Sequence, residues 1–288
     1  MNNIIKSLDE LTKNLRSISC EKRWLQDFTN DINAFGDQTL YADRLFEETI
    51  VKHFENICGI KDLYCEESGH IILNKEGYSI IIDPLDGSQN FRMNLPYYSY
   101  TVAILDEDYS LVAAYVANLV TGKSYSAIKG DGAKYNGVPI HVDKKLDLKD
   151  VHAIFVGLSK NVEVLNYYNK IITKVKSYRA MGCASLDLCC VALGRCGLFI
   201  DLSNSAKYMD ILASALIVEE AGGIIVTNSF ENISTLLKGK KNVAYNIFND
   251  RFSILAAANE NILSLSQDLK NKEILMEVLE DDRLMAKS

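Results

Sequence analysis

The stretch Ile80-Ile81-Ile82-Asp83-Pro84-Leu85-Asp86-Gly87-Ser88-Gln89-Asn90-Phe91, "IIIDPLDGSQNF", runs an apolar segment into a turn that carries two carboxylates. A β-branched run closed by Pro and Gly has the character of a buried strand. Asp-Pro and Asp-Gly are also ordinary turn formers, so two readings stand side by side. In one, Asp86 caps a following helix and Asp83 sits in an exposed turn. In the other, a strand–turn–helix unit aims both carboxylates at one point. Beside them would lie the Gly87 and Ser88 amides, at a helix start whose unpaired N–H groups and dipole attract anions. Hard oxygen donors of this kind select Mg²⁺ over zinc or copper.

Upstream of this stretch the apolar period is helical. Ile4, Leu8, Leu11, Leu15 and Ile18 form one stripe, and a second helix is expected over about Ala42 to Ile57 with Leu45, Ile50, Phe54 and Ile57 on one side. The intervening "FGDQTLYAD" reads as a loop. From Ser79 to about Val142 the segments "YSYTVAIL", "SLVAAYVANL" and "KSYSAI", separated by "DEDY" and "TGK", predict an antiparallel meander closed by Asn136-Gly137. Beyond "DKKLDLKD", short strands ("AIFVG", "GLFID", "GIIVT") alternate with helices ("ASLDLCCVALG", "MDILASALIVEEAG"). That alternation predicts an α/β half. The chain therefore divides near residue 148, into an N-terminal α+β half (1–147) and a C-terminal α/β half (148–288). From about Leu265 a charged tail of helical composition reads as a packing or oligomer-contact helix.

Composition narrows the function classes. With 48% hydrophobic and 24% charged residues in 288, the chain is of the ordinary globular type. No apolar run approaches the ~20 residues of a membrane span, and the N-terminus lacks the layout of a signal peptide, so a cytoplasmic protein without a membrane partner is expected. A net charge of -7 disfavours nucleic acid as a partner. The seven cysteines include no Cys-x-x-Cys pair, which argues against zinc and against a disulfide framework.

Two further acidic positions bear on the turn. Glu66-Glu67 follows the apolar "IKDLYC" and could end a neighbouring strand, although such a pair is more often a solvated face. Asp210 stands in the first turn of "MDILASALIVEEAGG", where an Asp is ordinarily a cap or dipole partner.

Taken together, "CEESG", "IIIDPLDGSQNF", "GDGAKYNG", "MGCAS" and "YMDILASALIVEEAGG" resemble, in order and spacing, the inositol monophosphatase family of lithium-sensitive, Mg²⁺-dependent sugar phosphatases, from about Asp37 to Asn261. The resemblance implies a layered α-β-α-β-α sandwich. It implies two to three Mg²⁺ ions held by Glu66, Asp83, Asp86, Asp210 and the Leu85 carbonyl, and a phosphate received by the Gly87 and Ser88 amides. Ser88 paired with Asp43 would orient the attacking water, with Glu66 also catalytic, and Asp37 would lie in a loop that closes over a third ion. Arg179, Gly182, Cys183 and Ala184 match a substrate-facing segment. Asp201, together with Asp86 and Asp210, matches groups that contact the substrate.

The spacing of Asp201 and Asp210 resembles the archaeal branch, whose members often act on both inositol monophosphate and fructose 1,6-bisphosphate. That branch often carries Arg where Ser203 stands here, so a second phosphate would need Lys207, Arg179 or Arg92. A small phosphorylated polyol or sugar as substrate and a homodimer are implied. The alternatives are a 3′-phosphoadenosine 5′-phosphate nucleotidase of the same superfamily and a regulatory, non-enzymatic member.

Overall fold

Alternation along the strand Tyr78–Asp86 organises the molecule. Ile80 and Ile82 point into one apolar cluster, and Ile81 points into another. The neighbouring strand Ser99–Leu105 repeats the pattern, with Val102 and Ile104 on the first side and Ala103 and Leu105 on the second. Successive side chains of a strand face opposite ways, so a sheet apolar at every position must be covered on both faces. The computed structural model, which describes residues 1–21, 23–156, 162–227 and 229–265, shows both covers.

That sheet has eight strands, in the order Val138–Ile140, Gly132–Tyr135, Ser124–Ile128, Leu111–Asn118, Ser99–Leu105, Tyr78–Asp86, Ile60–Cys65 and Gly69–Ile72. The expected meander supplies the first six, all antiparallel neighbours. Ile60–Cys65 lies parallel to Tyr78–Asp86, which brings the chain immediately after Cys65 to the same end as Asp83. The helices Asn2–Glu21 and Tyr41–Glu55 cover one face, burying Leu8, Leu11, Leu15, Phe46, Ile50 and Phe54. The helices Ala184–Ala192 and Tyr208–Glu220 cover the other and are apolar nearly all round, as helices between two sheets must be.

Beyond them lies a five-stranded sheet, in the order Ser177–Arg179, His152–Val156, Leu198–Ala206, Phe252–Ala257 and Ile224–Thr227. It is mixed, because Phe252–Ala257 runs antiparallel to both its neighbours. The helix Val162–Ile172 packs on this sheet, with Tyr168 edge-on to Phe155 at 4.9 Å between ring centroids. The result is the expected layered α-β-α-β-α sandwich. No described helix is long and apolar enough to cross a membrane.

Three local expectations change. The buried stripe of Tyr41–Glu55 runs through Phe46 rather than Leu45, and it carries Asp43 and Glu47 with it, because this helix face turns two carboxylates inward. "FGDQTLYAD" is more ordered than a loop: Gln38–Leu40 pairs antiparallel with Phe28–Ile32. The Asn33 side chain closes the connection by accepting from the Phe35 and Asp37 amides at 3.0 and 2.9 Å. The strand of the opening motif continues through Asp86, with an irregular register between Asp83 and Asp86, so Asp83 lies inside the strand rather than at its end. The C-terminal tail beyond residue 265 lies outside the described residues.

Candidate active site

Asp83 is only 2% exposed, and its Oδ1 accepts the Leu85 amide at 2.9 Å, which fixes the Pro84-Leu85 kink. Gly87 follows with a φ of +84°, and a Cβ there would lie 3.1 Å from the Tyr97 carbonyl and 3.2 Å from the Cys183 Cβ. Only glycine meets both demands at no cost. The chain then enters the short helix Ser88–Arg92. Asn90, on that helix, donates to the carbonyls of Tyr97 (2.8 Å) and Met181 (2.7 Å), which ties the motif to the "MGCAS" segment.

Asp86 reaches across to the helix Ala184–Ala192. Its Oδ2 accepts from the Ser185 amide at 2.7 Å and the Cys183 thiol at 3.2 Å, and its Oδ1 lies 3.3 Å from the Ala184 amide. A helix N-terminus is a natural partner for a carboxylate. The Ala184 amide thus faces Asp86, and the "MGCAS" turn acts as a clamp on that carboxylate.

A cavity of about 360 Å³ opens beside these groups, lined by Asp37, Asp43, Glu66, Leu85, Ser88 and Lys207 among others. Asp43 arrives from the helix Tyr41–Glu55 and is 8% exposed, with Oδ2 accepting the Leu40 amide at 2.9 Å. Glu66 and Glu67 arrive from the end of Ile60–Cys65. Glu47, 1% exposed, holds that turn by accepting from the Glu67 and Ser68 amides at 2.7 and 2.8 Å. Glu67 takes the Thr39 hydroxyl as partner. Asp210, at the start of Tyr208–Glu220, accepts the Lys207 amide at 3.0 Å.

The electrostatics of the cluster are those of uncompensated charge. Burial pushes the Asp83 carboxyl well above the usual carboxylate range, and the like charges of Glu66, Asp86 and Asp210 push it further. Burial likewise raises Asp210 to about 8, helped by Glu66 and Asp86 and opposed by Lys207. Asp43 is raised chiefly by burial, against the Leu40 amide, and Glu67 is raised to about 7 by burial despite its Thr39 partner. Such crowding is relieved by proton uptake or by a bound cation. The donors of Glu66, Asp83, Asp86, Asp210 and the Leu85 carbonyl are all hard oxygens, and they fit Mg²⁺ in chemistry. As the side chains stand, no three His, Cys, Asp or Glu among the described residues converge as a finished metal cage. Each carboxylate is turned toward a protein donor instead: Leu85 N–H for Asp83, Ser185 N–H for Asp86, Lys207 N–H for Asp210 and the Lys207 ammonium for Glu66.

Other expected residues lie apart. Arg179 is exposed on the edge strand and donates to the Tyr178 carbonyl at 2.7 Å. Asp201, 3% exposed, accepts from the Ser203 amide and hydroxyl at 2.8 and 2.6 Å. Neither lines the cavity, and among the other expected residues Asp83, Asp86, Gly87, Ala184 and Asp210 do not line it either. Lys207, considered above only for a remote phosphate, instead faces Glu66 and Asp37. Glu47 is not singled out by the sequence reading, and Glu67 enters it only as the neighbour of Glu66. A charged residue recurring on the apolar face of a helix was the available signal for Glu47.

Behind Asp86, Asp187 is fully buried; its Oδ1 accepts the Tyr97 hydroxyl at 2.8 Å and its Oδ2 has no partner among the described residues. Burial pushes this carboxyl up to about 8. The native state thus holds a proton that an unfolded carboxyl, ionising near ~4, gives up. The stability this proton brings is full below that lower value and is lost as pH rises through about 8. Asp187→Asn keeps an acceptor for Tyr97 without ionising. Its melting temperature should pull ahead of wild type between pH 5 and pH 8, by about 1–3 kcal/mol or a few degrees, and the gap should then level off. A pH-independent difference between the two melting curves would count against this assignment.

A family model described as the inositol monophosphatase family matches residues 10–268. The chain is 30% identical over 242 residues to a fructose-1,6-bisphosphatase/inositol-1-monophosphatase of Methanothermobacter thermautotrophicus, covering 79% of this chain and 81% of that one. It is 30% identical over 203 residues to the Nus factor SuhB of Pasteurella multocida, covering 69% and 75%. Among solved structures, an inositol monophosphatase/NADP phosphatase complexed with Mg²⁺ and phosphate superposes with a TM-score of 0.72 at 22% identity, covering 92% of this chain and 95% of that one.

Proposed function

The chain belongs to the inositol monophosphatase family and is a phosphatase, and from that premise we propose that it is a Mg²⁺-dependent phosphomonoesterase acting on inositol monophosphate, with fructose 1,6-bisphosphate as a weaker substrate. The observation that carries the reading is the convergence of Asp43, Glu66, Leu85 and Ser88 on one cavity, with Asp83 and Asp210 facing the charge of Glu66.

Glu66, Asp83, Asp86, Asp210 and the Leu85 carbonyl would hold the metal. Bound there, Mg²⁺ supplies Lewis-acid stabilisation of the phosphoryl oxygens and makes water acidic enough to attack near neutral pH. The protein's own part is orientation. Asp43 Oδ2 is engaged by the Leu40 amide, and the Ser88 hydroxyl, which lines the same cavity, would donate its hydrogen bond to the other carboxylate oxygen. The Ser88 oxygen would then accept a hydrogen bond from the attacking water and so aim the water's own lone pair at phosphorus. The Gly87 and Ser88 amides, at the start of their helix, receive the phosphate oxygens. The Asp201 carboxylate is the candidate acceptor for polyol hydroxyls.

Ser203 supplies no positive charge and already donates to Asp201 at 2.6 Å. A second phosphate therefore gains little at this point, and because the contact is remote from the reacting phosphorus its absence falls on KM rather than kcat. Phosphate release with Mg²⁺ should be measured on inositol 1-phosphate, fructose 1,6-bisphosphate, NADP and 3′-phosphoadenosine 5′-phosphate. Inositol 1-phosphate is expected to turn over well and the bisphosphate at higher KM. Preference for either nucleotide would move the assignment to a nucleotide phosphatase. Silence on all four would favour a role like that of the Nus factor relative, against which the net charge of -7 already weighs.

A further inference from the structure

Lys207 precedes the helix Tyr208–Glu220, and its side chain turns back into the acidic cavity. Its Nζ lies 3.0 Å from Glu66 Oε1 and 2.9 Å from Asp37 Oδ2, and it sits over the Phe35 ring at 4.2 Å from the centroid. The side chain is 15% exposed, against 17% for Glu66 and 63% for Asp37. Among the described residues, no other ion pair engages Glu66. The face of Phe35 that Lys207 covers belongs to the turn between Phe28–Ile32 and Gln38–Leu40, and Arg251 also lies against that ring at 4.9 Å. One ammonium thus joins the turn of residues 33–37 to the end of the strand Ile60–Cys65.

We propose that Lys207 is a resident cation of the active site: it occupies the place between Glu66 and Asp37 for which a metal ion would compete, and so weakens Mg²⁺ binding at Glu66 while keeping the metal-free site folded. The inference rests on the reading of Glu66 as a metal ligand. Lysine suits the part. Its charge is compact and its stem flexible, so the ammonium can release the inner carboxylate and stay on the outer, exposed one. Each carboxylate here already repels its neighbours, so a fixed positive charge stabilises the cluster when no ion is bound. The same charge must be displaced from Glu66, or repel the incoming ion, when one binds. Ligation and lysine contact therefore oppose each other at a single oxygen atom.

The test is Mg²⁺ titration by calorimetry, without substrate, of wild type, Lys207→Met and Lys207→Arg, together with melting temperatures in EDTA and in saturating Mg²⁺. Lys207→Met should bind Mg²⁺ roughly tenfold more tightly, or better, from removal of one nearby like charge. It should melt below wild type in EDTA and gain more from added Mg²⁺. Lys207→Arg, which keeps the charge, should stay close to wild type. Lys207→Gln retains a donor for Glu66 without the charge and shifts affinity in the same direction, so it serves if the Met variant does not fold. Unchanged or weaker Mg²⁺ affinity in both neutral variants, with wild-type binding measurable, overturns the role of Lys207 and leaves the metal site standing. If none of the folded proteins binds Mg²⁺, the metal reading of Glu66 falls and takes the lysine's role with it.

Discussion

Asp83→Asn is expected to lower phosphate release by roughly three orders of magnitude or more while raising the melting temperature of the metal-free protein. The Asn carbonyl can still accept the Leu85 amide that Asp83 accepts at 2.9 Å, so the kink before Gly87 survives. What disappears is a negative charge at a site that is 2% exposed and faces Glu66, Asp86 and Asp210. With Mg²⁺ that charge would serve as a ligand under the proposed function; without it, the charge is a buried repulsion, and its removal should stabilise the fold by about 0.5–2 kcal/mol. The sign with pH follows from the raised carboxyl of Asp83. The native state binds its proton more tightly than the unfolded chain does, so the wild type loses stability as pH rises above the unfolded value and the variant does not. The stability gap should therefore widen from pH 4 toward neutrality. Wild-type turnover with unaltered Mg²⁺ dependence would remove Asp83 from the ligand set.

Ser88→Ala should raise the barrier by about 2.7–4 kcal/mol, a loss of 10²–10³ in kcat, by analogy with the removal of one oriented hydrogen-bonding group from a preorganised site. Ser88 is the first residue of its short helix and lines the cavity with Asp43. Alanine is the best helix former, so the backbone amides that would receive the phosphate stay in place. The loss should fall on kcat with KM little altered, because in the proposed mechanism the hydroxyl would contact the water and not the substrate. Steady-state kinetics at saturating Mg²⁺ decide the matter, and a change of less than about twofold would leave Ser88 no part in orienting water.

The sheet and its two covers were legible because their period is carried by the residues themselves. Ile80, Ile81 and Ile82 announce a strand apolar on both sides, and Leu8, Leu11 and Leu15 announce a helix that needs a surface to lie on. The carboxylates of "DPLDGS" were not decided by the turn itself, since Asp-Pro and Asp-Gly each have a turn explanation; only the resemblance of the wider motif set singled them out. Partnership was not legible. Nothing near Lys207 in the chain points to Glu66 or Asp37, both more than a hundred residues away, and only the packing of Tyr208–Glu220 against the large sheet brings them together. The bond from the Ala184 amide to Asp86 was likewise not legible, because a small residue opening a helix tells nothing of what its amide will meet. Glu47 was passed over because a glutamate in an amphipathic helix usually faces water, whereas this one caps the Glu66–Ser68 turn.

The acidic groups of the site are scattered over the chain, from Asp43 in an early helix to Asp210 in the helix wedged between the sheets. A polypeptide leaving the ribosome would expose Glu66, Asp83 and Asp86 long before Tyr208–Glu220 exists to bring the last carboxylate and Lys207. Until then the inner face of the large sheet also lacks its cover. Nascent and truncated chains should therefore be inert toward phosphate esters, and any lesion that shortens the message before that helix abolishes activity outright instead of grading it.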